Sequence, residues 1–128
     1  VPVQEVGERS FQVMDEPGAV SNVCVVYAKS EALGLLRSGR SPEEVLAAYC
    51  RATAERIASL LEKIEVVPGF AVTGGVAKNR GVMDRLTAMI GLEPLRTEWD
   101  PQVAGALGAA LFGHALSLKG KKRKARRG

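Results

Sequence analysis

Between Ser41 and Ile64 the apolar positions Leu46, Tyr49, Ile57, Leu60 and Ile64, with Thr53 among them, recur every three or four residues. That spacing puts them on one stripe of a helix about six turns long. Ser41-Pro42-Glu43-Glu44 opens it: serine suits the cap, proline at the first helical position gives up an N–H that has no partner there, and Glu44 completes a capping box. Pro68 and Gly69 bound the stretch from the other side. A second helical face, Val82, Met83, Leu86, Met89 and Ile90, follows a cap at Asn79 and stops at Gly91, a residue suited to the left-handed C-terminal position. The β-branched run from Val20 to Tyr27 predicts a strand or tight turn feeding a helix from Tyr27 to Arg37, carried by Ala28, Ala32, Leu33, Leu35 and Leu36. Phe70 to Thr73 suits a short buried strand, and Leu95 to Thr97 another. Asp100-Pro101 repeats the cap-plus-proline start and predicts a last helix from Gln102 to about Leu118. Val1 to Pro17 reads as a short helix and a loop closed by Pro17 and Gly18.

The last helix is the most apolar part of the chain, dotted with Gly105, Gly108 and Gly113. At Val103 to Leu118 it falls short of the roughly 20 residues a membrane span needs. It is therefore expected to lie buried, its small residues admitting a close neighbour in an α/β core. A chain of 128 residues, 46% hydrophobic and 25% charged, fits one ordinary globular unit and excludes a large enzyme. Three regions are expected: 1–19 as an N-terminal segment and loop, 20–118 as the folded lobe, and 119–128 as a basic disordered tail.

The net charge of +4 hints at a nucleic-acid partner until the charges are located. Seven of the 18 Lys and Arg lie in the last ten residues, leaving 11 basic against 14 acidic residues and a mildly acidic body. The tail has no aromatic residue on which bases could stack, so a solvated terminus is the simpler reading and no nucleic-acid or membrane partner is expected. Cys24 and Cys50 are too few for a secreted disulfide framework, and no signal segment opens the chain, which implies a cytoplasmic setting. The chain begins on Val1 rather than Met, as processing or truncation would leave it.

Candidate chemistry gathers at Gly74-Gly75-Val76-Ala77-Lys78-Asn79, a glycine turn between an expected strand and a helix. Residues without side chains admit a ligand to the backbone, and the following helix start offers N–H groups to a phosphate. The turn matches neither the phosphate-loop nor the dinucleotide pattern, and a tight connection is the commoner use of two glycines. Cys24 falls at a strand-to-helix boundary, where a thiolate gains from the helix N-terminus; an inert buried thiol is the commoner case. Cys50 sits mid-helix and reads as packing. His114, the only histidine, has no partner at a suggestive spacing, and Glu31 and Asp100 are explained by capping. No Cys-x-x-Cys or histidine-bearing spacing is present, so this chain alone cannot cage a metal.

Taken in order, Cys24-Val25-Val26-Tyr27-Ala28-Lys29-Ser30-Glu31, then Thr73-Gly74-Gly75-Val76-Ala77-Lys78-Asn79-Arg80-Gly81, then Pro101-Gln102 with Gly105-Ala106-Leu107-Gly108-Ala109-Ala110-Leu111 resemble the C-terminal part of the BadF/BadG/BcrA/BcrD ATPases. The resemblance runs from about Val20 to Gly113. It implies an α/β, actin-like or sugar-kinase-like (ribonuclease H-like) ATPase fold, of which this chain is the helix-rich C-terminal lobe with a short sheet. It also implies an ATP-driven activase that sends a low-potential electron to a CoA-thioester reductase of the benzoyl-CoA type, in anaerobic aromatic degradation. An activator of 2-hydroxyacyl-CoA dehydratase is the close alternative. A sugar or amino-sugar kinase of the same fold, or a non-catalytic binding fragment, stands behind both.

The same resemblance implies the partners and ligands. These are ATP or ADP with Mg2+, a [4Fe-4S] cluster shared between two like or related subunits, the reductase or dehydratase subunits, and an electron donor such as ferredoxin. Carried onto this sequence, Cys24 looks like a cluster ligand, and Gly74, Gly75, Ala77, Lys78 and Asn79 look like the adenosine-side turn. Glu31 is placed at the ribose by analogy, and Gln102 and Gly105 at the adenine side. The family's first lobe, with its Mg2+-organising Asp, its phosphate loops and the segment bearing its other cluster cysteine, has no counterpart here. The chain alone is therefore expected to lack magnesium-dependent ATPase activity.

Overall fold

The computed structural model describes residues 1–18, 20, 21 and 24–125. Five α-helices account for most of it: α1 (Val3–Arg9), α2 (Val25–Arg37), α3 (Pro42–Leu61), α4 (Arg80–Ile90) and α5 (Ala104–Ala125). Two short 3-10 turns, Gly75–Lys78 and Pro101–Val103, precede α4 and α5.

The helix ends follow the cap chemistry of the sequence. The Ser41 side chain accepts from the Glu44 N–H at 3.2 Å while the Glu44 carboxylate accepts from the Ser41 N–H at 2.8 Å, so two otherwise orphaned donors are satisfied. Asn79 caps α4 by accepting from the Val82 N–H at 3.3 Å. Gly91 closes that helix at φ +67°, a conformation that costs glycine little. Cys24 stands at the N-cap of α2 in extended geometry.

α3 is the middle layer. Ala48 and Ala52 face α2, forming one core with Val20 and Ala28; Cys50 and Ala54 lie about 200° round the helix and form a second core with Val82 and Leu86 of α4. Leu86, 2% exposed, is the largest side chain of that second core and stabilises it by roughly 1.5–3 kcal/mol. The buried face of α3 is thus a row of small residues, with Leu46, Tyr49 and Ile57 half-buried at its flanks and Leu60 exposed. The stripe expected from spacing is real but marks the edges of the contact, because small side chains are what let two neighbours approach one helix closely.

α1 is stapled across α3 and α4 by Arg85, whose side chain is only 10% exposed. Its guanidinium donates to the Ser10 carbonyl (3.0 Å), to Ser10 Oγ (3.1 Å) and to the Gly81 carbonyl (2.7 Å), pairs with Glu16, and lies 5.2 Å from the Phe11 ring centroid. Ser10, fully buried, donates its own hydroxyl to the Gly7 carbonyl at 2.7 Å.

Two expectations need correction. No strand forms among the described residues: Phe70–Thr73 and Leu95–Thr97 have no regular secondary structure and are joined by a single backbone bond, Leu95 N–H to Phe70 carbonyl at 2.8 Å. A strand exists only where a neighbour supplies a ladder, and these segments have no further one here. The run from Val20 to Tyr27 is not strand in its described part, and residues 22 and 23 lie outside the described residues. The last helix is not buried: every residue from Gly105 to Lys119 is exposed, and nothing lies within 4 Å of where a side chain would start at Gly105, Gly108 or Gly113. Apolar composition says what a helix can bury, not that the neighbour is present. α5 continues past Lys119 to Ala125, and the tail residues 126–128 lie outside the described residues.

Candidate functional site: a glycine turn clamped to the start of α5

Gly74 adopts φ +93° and ψ −179°, a backbone conformation open to glycine and strained for other residues. It turns the chain out of the Phe70–Thr73 segment and into the Gly75–Lys78 turn, which hands over to α4 at Asn79. The turn is held from one side by Asp100 and the Pro101–Val103 turn that precede α5. The Gly74 N–H donates to the Pro101 carbonyl at 2.9 Å, and the Lys78 ammonium donates to Asp100 Oδ2 at 2.9 Å and Gln102 Oε1 at 3.2 Å. A methyl group on Gly75 would sit 3.3 Å from Gln102 Nε2.

Asp100 serves both turns. Its carboxylate accepts from the Gln102 N–H at 2.9 Å and from Lys78, and the first of these contacts, then the second, holds its pKa below the ordinary range. The sequence marks Asp100 as a cap and gives no sign of its ion pair with Lys78, since a partner 22 positions away leaves no local signal. A cavity of about 400 Å3 opens beside the turn, lined by Val72, Ala77, Lys78, Asp84, Arg96 and Pro101 among others.

Behind the turn, Asn79 is fixed by close packing. Its Oδ1 accepts from the Val82 N–H and lies 3.9 Å from Cys50 Sγ; a methyl group on Gly7 would sit 2.8 Å from the same oxygen. The turn is therefore held on one side by Asp100 and the Pro101–Val103 turn, and its exit at Asn79 is packed against α1 and α3.

The structure brings together Gly74, Gly75, Ala77, Lys78, Asn79 and Gln102. Gly105 follows one residue into α5 with open space around it. Glu31 is elsewhere. It lies on α2, which among the described elements packs on α3 alone, and its carboxylate accepts from the Ser21 N–H beside a separate cavity of about 890 Å3. Cys24, half-buried, also belongs to the α2 side, whereas Cys50 is sealed in the second core.

No group of three His, Cys, Asp or Glu converges among the described residues. A four-iron cluster does not fit this chain by itself: one thiol is accessible, and the other is enclosed by α4 and the Asn79 cap. No helix among the described residues is long and apolar enough to cross a membrane.

The family model for the BadF/BadG/BcrA/BcrD ATPases matches residues 1–113. The chain belongs to that family. This BadF/BadG/BcrA/BcrD chain is 36% identical over 101 residues to the (R)-2-hydroxyglutaryl-CoA dehydratase activating ATPase of Acidaminococcus fermentans, covering 79% of this chain and 38% of the relative. It is 32% identical over 114 residues to a benzoyl-CoA reductase polypeptide of Thauera aromatica, covering 85% and 40%. The solved activator of 2-hydroxyisocaproyl-CoA dehydratase from Clostridium difficile, with bound ADPNP, superposes with a TM-score of 0.85 at 32% identity, over 96% of this chain and 45% of that one. The fold is that of part of an activator ATPase of the actin-like class, and the α/β class rests on that match. The chain spans about two-fifths of the length of the curated relatives it matches.

Proposed function

We propose that this chain is the nucleoside-binding portion of a cytoplasmic ATP-dependent activator that delivers a low-potential electron to a CoA-thioester reductase or dehydratase. One observation carries the reading: an open glycine turn, with Gly74 at φ +93°, lies in a chain that superposes closely on an activator solved with an ATP analogue. The main chain of Gly74, Gly75 and Ala77 lies against ribose and α-phosphate, Asn79 fixes the exit of the turn, and Gln102 and Gly105 flank the adenine. Lys78 is partly neutralised by Asp100, so it orients the turn rather than gripping the terminal phosphates. Glu31, engaged with Ser21, takes no part in this site.

Hydrolysis needs magnesium ligands, and these would come from the portion that the longer relatives carry. Cys24, half-buried at the start of α2, would give one ligand to a cluster shared with a like or related subunit; when bound, a [4Fe-4S] cluster supplies one-electron transfer at low potential. Identities of 36% to a dehydratase activator and 32% to a benzoyl-CoA reductase polypeptide keep both thioester classes within the proposal.

Calorimetric titration with ADP tests the first half: the chain binds ADP, and Gly74→Val, which cannot hold the turn, loses at least tenfold in affinity. Iron and acid-labile sulfide in the polypeptide expressed from its complete reading frame test the second, with loss on Cys24→Ser. Absence of ADP binding from both the chain and that longer polypeptide would point to a non-catalytic binding module instead.

A further inference from the structure

We propose that α1 is a positioning element for the glycine turn, acting through Gly7 on the side chain of Asn79. The inference rests on the nucleoside reading of that turn and adds to it a residue that never touches the ligand. Asn79 is where the turn ends and α4 begins: its N–H donates to the Val76 carbonyl at 2.9 Å, and its own carbonyl accepts from the Met83 N–H at 3.0 Å. Moving this residue therefore moves the last bond of the turn and the first of the helix together.

Three helices meet at the side-chain oxygen of Asn79. The Val82 N–H of α4 donates to it at 3.3 Å, Cys50 Sγ of α3 lies 3.9 Å away, and the main chain of α1 passes so close that a methyl group on Gly7 would sit 2.8 Å from it. The same methyl group would lie 3.1 Å from the Arg80 and Gly81 nitrogens, which are main chain. α1 is kept from drawing back by Arg85 of α4, which donates to the Ser10 carbonyl at 3.0 Å and to the Gly81 carbonyl at 2.7 Å. The part free to give way is the Asn79 side chain, which would swing off its cap. Gly7 is thus a positioning residue: its bare main chain leaves room for the carboxamide that fixes the exit of the turn. Filling that room loosens the turn, while the better helix propensity of alanine offsets the lost cap in overall stability.

The test measures ADP affinity by calorimetry in the polypeptide expressed from its complete reading frame, with thermal melting alongside. Gly7→Ala is expected to melt close to the parent yet bind ADP about fivefold more weakly, the size of a typical lost helix cap. Ala28→Gly, in the core between α2 and α3, is expected to melt lower and bind ADP like the parent, which tells a general loss of packing from a displaced turn. In an Asn79→Ser background, where a shorter side chain still caps a helix and stands clear of Gly7, adding Gly7→Ala is expected to cost less than about twofold. Amide spectra of this chain without nucleotide report the same displacement: Gly7→Ala shifts Gly74, Gly75 and Lys78 when Asn79 is intact and leaves them in place in the Asn79→Ser background. Parental ADP affinity in folded Gly7→Ala, or an equal loss in both backgrounds, would overturn the proposal. Should Gly7→Ala not fold, its recovery in the Asn79→Ser background supports the contact, and failure in both overturns it. A parent that fails to bind ADP would end the nucleoside reading, and the spectra then decide the role of Gly7: unmoved Gly74, Gly75 and Lys78 signals overturn it.

Discussion

The crossing of α1 and α4 leaves no room for a single methyl group, and this gives a perturbation whose sign can be worked out. At Gly81 a methyl carbon would collide with Ser10 Oγ and lie 2.9 Å from Cys50 Sγ and 3.1 Å from Gly7 Cα. Ser10 cannot swing away, because its hydroxyl donates to Gly7 and accepts from Arg85; the Gly7 contact is main chain and has no rotamer to change. Overpacking of this kind costs about 1–3 kcal/mol, against a gain of about 1 kcal/mol from replacing glycine by alanine inside a helix. The groups met cannot move aside, so the upper half of that cost applies, about 2–3 kcal/mol, and Gly81→Ala is expected to be destabilising by about 1–2 kcal/mol net. Gly34, in α2, has nothing within 4 Å of the same methyl position. There the propensity gain stands alone, so Gly34→Ala is expected to stabilise by about 0.5–1 kcal/mol. Urea unfolding followed by far-ultraviolet circular dichroism measures both. A Gly81→Ala protein as stable as the parent would refute the packing of α1 against α4, whatever Gly34→Ala does.

Two further outcomes are expected. Arg9 donates to Glu43, the Ser41 N–H and then Arg40 donate to Glu44, and the Gln102 N–H and Lys78 donate to Asp100; each contact holds its carboxyl below the ordinary range. Groups depressed in the folded state stabilise it above their unfolded pKa of about 4, and lose that contribution as pH falls through the folded values. Stability should thus be level from neutral pH to about 5 and decline below about 4, with Glu43→Gln making the decline shallower; an unchanged slope would count against the Arg9 contact. In native protein, a thiol reagent should modify Cys24 within minutes and Cys50 only at the rate of unfolding, as Cys50 is 2% exposed; mass spectrometry of the digested product reads the two sites separately.

The ends of the helices were legible because their chemistry is local. Ser41, Pro42 and Glu44 lie within one turn, Asn79 accepts from a donor three residues on, and Gly91 needs only its own backbone freedom. What was not legible depends on something outside the window being read. The apolar composition of the last helix shows a capacity for burial, and among the described residues no other helix packs on it. The segments at Phe70 and Leu95 have strand composition but only one bond between them. The Arg85–Ser10 staple links residues 75 positions apart, and no periodicity encodes it. The same limit applied at the candidate site: the glycine turn announced itself, whereas Asp100 as its clamp emerged only when the fold brought the Pro101–Val103 turn alongside.

The central claim, that the open turn after Thr73 receives a nucleoside, is tested most directly by amide proton–nitrogen spectra of the isotope-labelled chain titrated with ADP. Saturable shifts are expected at Gly74, Gly75, Ala77, Lys78 and Asn79, reaching Gln102 and Gly105 and sparing Glu31 and Cys50. Saturable shifts centred on the α2–α3 cavity around Glu31, with the Gly74–Asn79 amides unmoved, would contradict it.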